Sequence, residues 1–238
     1  MKKICLVLPY FGKFKKYFPL FLLSCKNNPT INWIIFSDSN EQYKWPSNVN
    51  YIKCTFDEFK EKVQKNFLFK ICLDSPYKLC DFKPSYGEIL SEELKEYDYW
   101  GYCDCDLIFG NIRYFVTDEI LDNNDRVFTR GHLSIFRNIS SVNRFYREQS
   151  VISYKEVYTS PRSFAFDEWG GISKAWENLN KSYYDELVMD DILYNMDSFY
   201  PTKILQGELS PYHKKNIDTS LEYRKMKKIY YHYFDNTL

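Results

Sequence analysis

Up to Gly110 the chain alternates short apolar runs with helix-like stretches, and that alternation restricts its fold more than any other feature. "KICLVLP" is a brief apolar run stopped by Pro9, as expected of a buried strand. "YFGKFKKYFPLFLLSCKNNP" follows as a loop with Gly12 and an apolar helix closed by Asn-Asn-Pro. "INWIIFSDS" predicts a second strand with polar residues at its carboxyl end, and "VNYIKC" a third. Thr55 and Glu58 form a capping-box pattern that opens a helix over "FDEFKEKVQKNF". "KPSYGEILSEELKEY" predicts another helix, with Pro84 near its first turn, delivering the chain into "YWGYCDCDLIF". This order implies an α/β domain with a largely parallel sheet and helices on both faces. Ligands of such sheets bind beyond the carboxyl ends of the strands. The loops "PYFG" and "SDS" and the pair Asp104 and Asp106 all fall on that edge.

After Gly110 the pattern changes. "IRYFVTDEILDN" reads as helical, "RVFTRGHLSIFRN" as one or two strands, and "VNRFYREQ" as a short helix. From Val151 to Asn195 the chain is rich in Tyr, Trp and acids and has no clear period. No repeat, low-complexity tract or Gly/Ser linker divides the chain, so a single domain over residues 1–238 is expected. The 32 basic and 32 acidic residues cancel, which gives no global reason to expect nucleic acid. The seven cysteines are odd in number, scattered and mostly within apolar runs, unlike a secreted disulfide framework. With a short amino-terminal apolar run that lacks a cleavage site, and no membrane-length segment, a cytoplasmic location is expected.

The densest chemistry lies in "YDYWGYCDCDLIFGNI". Side chains on an extended strand alternate between faces, so Asp104 and Asp106 should point one way and Cys103 and Cys105 the other. Two carboxylates spaced D-x-D at the end of an apolar strand suit a hard divalent cation, Mn²⁺ or Mg²⁺, which in turn can hold a diphosphate. The thiols lack the further ligands of a closed zinc site and read as core residues. "FAFDEWGG" carries Asp167 and Glu168 at a loop, suited to a catalytic base or to gripping sugar hydroxyls; a helix start is the plainer alternative. Asp190 and Asp191 in "VMDDILYN" sit in a helical apolar pattern. His132 with Arg130 reads as lining an acceptor side, and His213 as solvated. The basic and aromatic run "EYRKMKKIYYHYF" suits a membrane surface, a diphosphate or a solvated helix face.

Strand, D-x-D and apolar follow-on resemble the metal site of GT-A glycosyltransferases. More closely, "LVLPYFGKF", "PYKLCDFKPSYGEI", "WGYCDCDLIFGNIR" and "FTRGHLSIFRN" resemble a bacterial family found with capsule and surface-polysaccharide genes. The likeness runs from Ile4 to Asn138 and thins afterwards. It implies a GT-A, Rossmann-like domain with a mixed, mostly parallel sheet flanked by helices. Residues 1–110 would form the nucleotide-binding half and residues 111–238 the acceptor-side half. It implies that Pro9, Tyr10 and Phe11 hold the nucleoside and that Lys78, Asp81 or Lys83 touches donor ribose or sugar. Asp104 would meet donor and metal, Asp106 the metal, and His232 would return as a third ligand. Asp167 or Glu168 would serve as base in an inverting enzyme.

The expected activity is transfer of a sugar from a nucleoside-diphosphate donor, a UDP-sugar, to a bacterial surface glycan or its lipid-linked precursor. Peripheral contact with the inner face of the membrane would accompany it. A haloacid-dehalogenase-type phosphohydrolase with Asp104 as nucleophile is the alternative enzyme, although Leu107 replaces its usual Thr or Val. A sugar-binding module without catalysis is the third reading.

Overall fold

The computed structural model describes residues 1–148, 152–186, 189–191, 203–205, 208–210 and 230–232. Its strands are β1 (Ile4–Pro9), β2 (Ile31–Ser37), β3 (Val49–Lys53), β4 (Tyr99–Cys103), β5 (Leu107–Phe109), β6 (Arg126–Arg130), β7 (Leu133–Arg137) and β8 (Tyr183–Tyr184). Four short strands follow: β9 (Met189–Asp191), β10 (Lys203–Leu205), β11 (Glu208–Ser210) and β12 (Tyr230–His232). The main sheet has the order β3-β2-β1-β4-β7-β6-β8, and β7 alone runs against its neighbours. It is largely parallel, as the alternation predicts, and mixed through β7, as the resemblance implies, and it makes one domain. A second sheet joins β5, β12 and β9, and β10 pairs with β11.

Alternation along β1 sorts the core. Ile4, Leu6 and Leu8 face one apolar layer and Cys5 and Val7 the other, all buried. Helix α1 (Phe18–Lys26), with Pro19 in its first turn, packs Phe18, Phe21, Leu22 and Cys25 on the first layer. Helix α2 (Phe56–Gln64) packs Phe59 and Val63 on the second. The Thr55 hydroxyl accepts from the Glu58 amide at 3.2 Å, while the Glu58 carboxylate accepts from the Thr55 amide at 2.7 Å. Both halves of the expected capping box therefore form.

Three local readings need correction. The helix expected from Lys83 forms in three short helical pieces, a 3₁₀ turn at Lys83–Ser85 and α-helices Tyr86–Ile89 and Ser91–Leu94, interrupted at Leu90 (φ −111°, ψ 29°). Pro84 lies in the first turn, where its missing amide hydrogen costs nothing, and the Ser85 hydroxyl donates back to the Phe82 carbonyl at 2.7 Å in that tighter 3₁₀ start. "IRYFVTDEILDN" splits into Ile112–Phe115 and Asp118–Asn123 because Thr117 caps the second piece through the Ile120 amide. Asp190 and Asp191 lie on strand β9, not on a helix. His213 and most of the carboxyl-terminal basic run lie outside the described residues.

Candidate functional site

The carboxyl edge of the sheet is built where strands β1 and β4 end. Beyond Pro9 the loop turns through Gly12, whose φ of +107° strains any residue with a Cβ. Its amide donates to the Asp38 carboxylate at 2.7 Å, which ties the "PYFG" loop to the "SDS" loop after β2. Tyr10 stacks on Phe14 with ring centroids 4.7 Å apart, and burial pushes its phenol up to about 12, with Cys105 and Asp106 adding to the effect.

Strand β4 stops at Cys103, one residue before the acid pair, so Asp104 and Asp106 occupy a bend and not the strand itself. The alternation persists through the bend. Cys103 and Cys105 enter the first apolar layer, where burial pushes both thiols upward and keeps them protonated. Asp104 and Asp106 stay partly exposed and line a cavity of about 520 Å³. Pro9, Tyr10 and Phe11 form another wall, with Lys83, Asp167 and Glu168 completing a third. Eight residues singled out in the sequence thus meet in one cavity: Pro9, Tyr10, Phe11, Lys83, Asp104, Asp106, Asp167 and Glu168.

Lys83 is the centre of the site's electrostatics. Its ammonium donates to Asp104 at 2.8 Å and to the Gly131 carbonyl at 2.7 Å, and lies 3.0 Å from Asp167. Burial alone would lower its pKa, but Asp104 and Asp167 outweigh that and hold it well above the ordinary lysine value. Asp167 is only 2% exposed. Burial raises its carboxyl to about 6; Lys83 opposes that shift and Asp104 reinforces it. Glu168, next along the chain, is exposed. This wall thus sets a buried, ion-paired carboxyl with a raised pKa beside an exposed carboxylate.

Lys78 and Asp81 are not among the cavity-lining residues. Both are buried and pair at 2.7 Å. Lys78 also donates to the Val157 and Arg162 carbonyls, while Asp81 accepts from the amides of Phe164 and Phe166. This pair pins the segment that delivers Asp167 and Glu168. Arg130 is likewise buried, beside Asp185 at 3.3 Å, and His132 sits in the turn after β6, where its carbonyl accepts from the Asp104 amide at 3.0 Å. Strand β12 pairs antiparallel with β5, setting His232 opposite Leu107, the residue after Asp106. On its other side His232 lies opposite Asp191 of β9.

Gly131 escaped the sequence reading. Besides accepting from Lys83, it has no room for a Cβ, which would lie 2.6 Å from the Glu168 side chain and 3.0 Å from Asp167. A lone glycine between two strand-like runs signals a turn, but nothing local links it to acids so far along the chain. Lys15, Tyr17, Tyr77 and Ser163 also line the cavity without having been singled out for it.

A metal suits this donor set in part. Two carboxylates on one bend offer hard oxygen ligands to the cavity, but among the described residues no group of three metal-competent side chains forms. No helix among the described residues is long and apolar enough to cross a membrane.

The model of a family described as a family of unknown function (DUF6625) matches residues 6–237. No curated protein matches the sequence. Among solved structures, a galactosyltransferase LgtC in complex with donor and acceptor sugar analogs is similar at 11% identity and TM-score 0.39, covering 79% of this chain and 75% of that one. An active-site mutant of LgtC matches at 10% identity and TM-score 0.47, covering 98% and 88%. The glycosyltransferase GlyE of Streptococcus pneumoniae TIGR4 matches at 12% identity and TM-score 0.40, covering 78% of this chain and 45% of its own. At these scores and identities the likenesses are distant.

Proposed function

This chain belongs to the DUF6625 family, and we propose that it is a metal-dependent glycosyltransferase. Its donor would be a nucleoside-diphosphate sugar, a UDP-sugar, and its acceptor a bacterial surface glycan or the lipid-linked precursor. The carrying observation is the convergence of Asp104 and Asp106 with the Pro9–Phe11 loop and Lys83 around one cavity at the carboxyl edge of the sheet. An aromatic loop on one side and paired carboxylates on the other suit a nucleoside followed by a metal-bound diphosphate.

In this reading residues 1–110 form the donor half and residues 111–238 the acceptor side. Tyr10 and Phe11 hold the nucleoside. Asp104 and Asp106 would hold Mn²⁺ or Mg²⁺, joined by His232, whose strand runs beside β5. The cation would neutralise the leaving diphosphate as Lewis acid and template. Lys83, held between Asp104 and Asp167, orients Asp104. Asp167 is buried and ion-paired, which suits holding charge in place; Glu168 is exposed and better suited to meet an acceptor hydroxyl, as base or as hydrogen-bond acceptor. Peripheral contact with the inner membrane face would bring the enzyme to a lipid-linked acceptor.

A thermal-shift screen of nucleoside diphosphates and nucleotide sugars, with and without Mn²⁺, tests this function. A ligand at a hundred times its dissociation constant should stabilise the fold by about 2.7 kcal/mol, and only with the metal present. Absence of any nucleotide effect at saturating Mn²⁺ would refute the assignment. Phosphate release from a simple ester through an aspartyl-phosphate at Asp104 would support the phosphohydrolase instead.

A further inference from the structure

The chain as a whole is neutral, yet up to Ser37 it carries Lys2, Lys3, Lys13, Lys15, Lys16 and Lys26 with no acid and no arginine. Lys2 is held by Asp122 at 2.8 Å. Lys13, Lys15, Lys16 and Lys26 are exposed and form no salt bridge among the described residues. Lys13, Lys15 and Lys16 precede helix α1 and Lys26 ends it, while its outward face between them is apolar. Leu20 and Leu23 are 50% and 52% exposed, and Pro19 is exposed beside them. Leu20, Leu23 and Lys26 recur at three-residue intervals and so share one stripe of the helix. A surface helix normally turns polar residues outward, whereas α1 exposes Pro19, Leu20 and Leu23 before its terminal Lys26.

We propose that the outward face of α1, with the lysines at its two ends, is a docking surface for an anionic lipid bilayer. The two leucines would enter the headgroup and acyl boundary while the lysines meet acidic headgroups, and binding of this kind sums apolar area and charge. Neither feature alone suits another occupant. Two half-exposed leucines fall far short of the ~800 Å² per partner of a stable protein interface. A symmetric contact with a second copy would also set like charges against each other. Nucleic acid would use the lysines but leave the leucines in water. The face also adjoins the site, since Lys15 and Tyr17, just before α1, line the cavity. Docking would set the cavity rim against the bilayer. The surface stands on its own residues and does not depend on the identity of the donor.

Co-sedimentation of the full chain with vesicles tests this, comparing phosphatidylcholine alone with phosphatidylcholine mixed with phosphatidylglycerol. The expected result is binding to the anionic vesicles only, weakening as salt screens the charges. The double variants Leu20→Ser with Leu23→Ser, and Lys13→Glu with Lys16→Glu, should each bind on the order of tenfold more weakly. Both should melt like the parent, since all four side chains are exposed. None of the four lines the cavity, so a nucleotide titration on the same samples separates failure of the surface from failure of the donor site. No binding to anionic vesicles, equal binding to neutral ones, or unchanged binding by either variant would overturn the proposal. So would a dimer in light scattering that Leu20→Ser with Leu23→Ser abolishes.

Discussion

Asp167 and Gly131 show how single residues set the site's properties. A buried carboxyl raised to about 6 binds its proton more tightly in the folded protein than in the unfolded chain. Its contribution to stability is therefore complete below the unfolded value of about 3.9 and is lost as pH rises through 6. Across that window the parent should lose up to about 3 kcal/mol that Asp167→Asn does not, since an amide has no proton to release. Urea unfolding of both proteins between pH 4 and pH 7 measures the difference, and parallel curves would show that Asp167 is not raised. At Gly131 a methyl group would displace the Glu168 side chain and crowd Asp167. Gly131→Ala should leave Mn²⁺-dependent nucleotide binding within about threefold of the parent while lowering turnover about tenfold or more, because misplacing a substrate-positioning group costs rate. Unchanged turnover would remove Glu168 from the reacting end of the cavity.

At the scale of elements, the site depends on two attachments that tie distant segments together. The first is the Lys78–Asp81 pair, which carries Val157, Arg162, Phe164 and Phe166 and so sets where Asp167 arrives. Removing one partner of a buried pair leaves the other charge uncompensated, at a cost of about 3–5 kcal/mol. Asp81→Asn should show that loss in chemical denaturation, and a loss under about 1 kcal/mol would mean that water replaces the pair. The second attachment is β12, paired with β5 on one side and β9 on the other. Deleting the chain from Tyr230 onward should weaken Mn²⁺-dependent UDP binding far more than it lowers the melting temperature of the metal-free protein. Equal effects on both would mean that the strand supports the fold alone.

At the scale of the whole molecule, the sequence was most legible where signals are local. Apolar runs ended by Pro9 or by Ser37 and Asp38 marked β1 and β2, and Thr55 with Glu58 marked the start of α2 through bonds that span three residues. Asp104 and Asp106 stood out because both acids follow one buried strand. The helix after Lys83 was legible, but its interruption at Leu90 was not, because helical periodicity does not register a single residue that leaves helical geometry. Strand β9 was misread because a few apolar positions fit either period. The contacts of Lys83 with Gly131 and Asp167, and the burial of Lys78 with Asp81, join segments that only the folded sheet brings together. In the proposed function the acids after β4 bind a cation that holds a nucleoside diphosphate. Calorimetric titration of UDP into the parent and into Asp106→Asn, with and without Mn²⁺, tests it most directly. The parent should bind only with Mn²⁺, and Asp106→Asn should lose that binding while keeping the parent's circular dichroism. Binding of UDP by Asp106→Asn with unchanged Mn²⁺ dependence would show that Asp106 does not hold the cation.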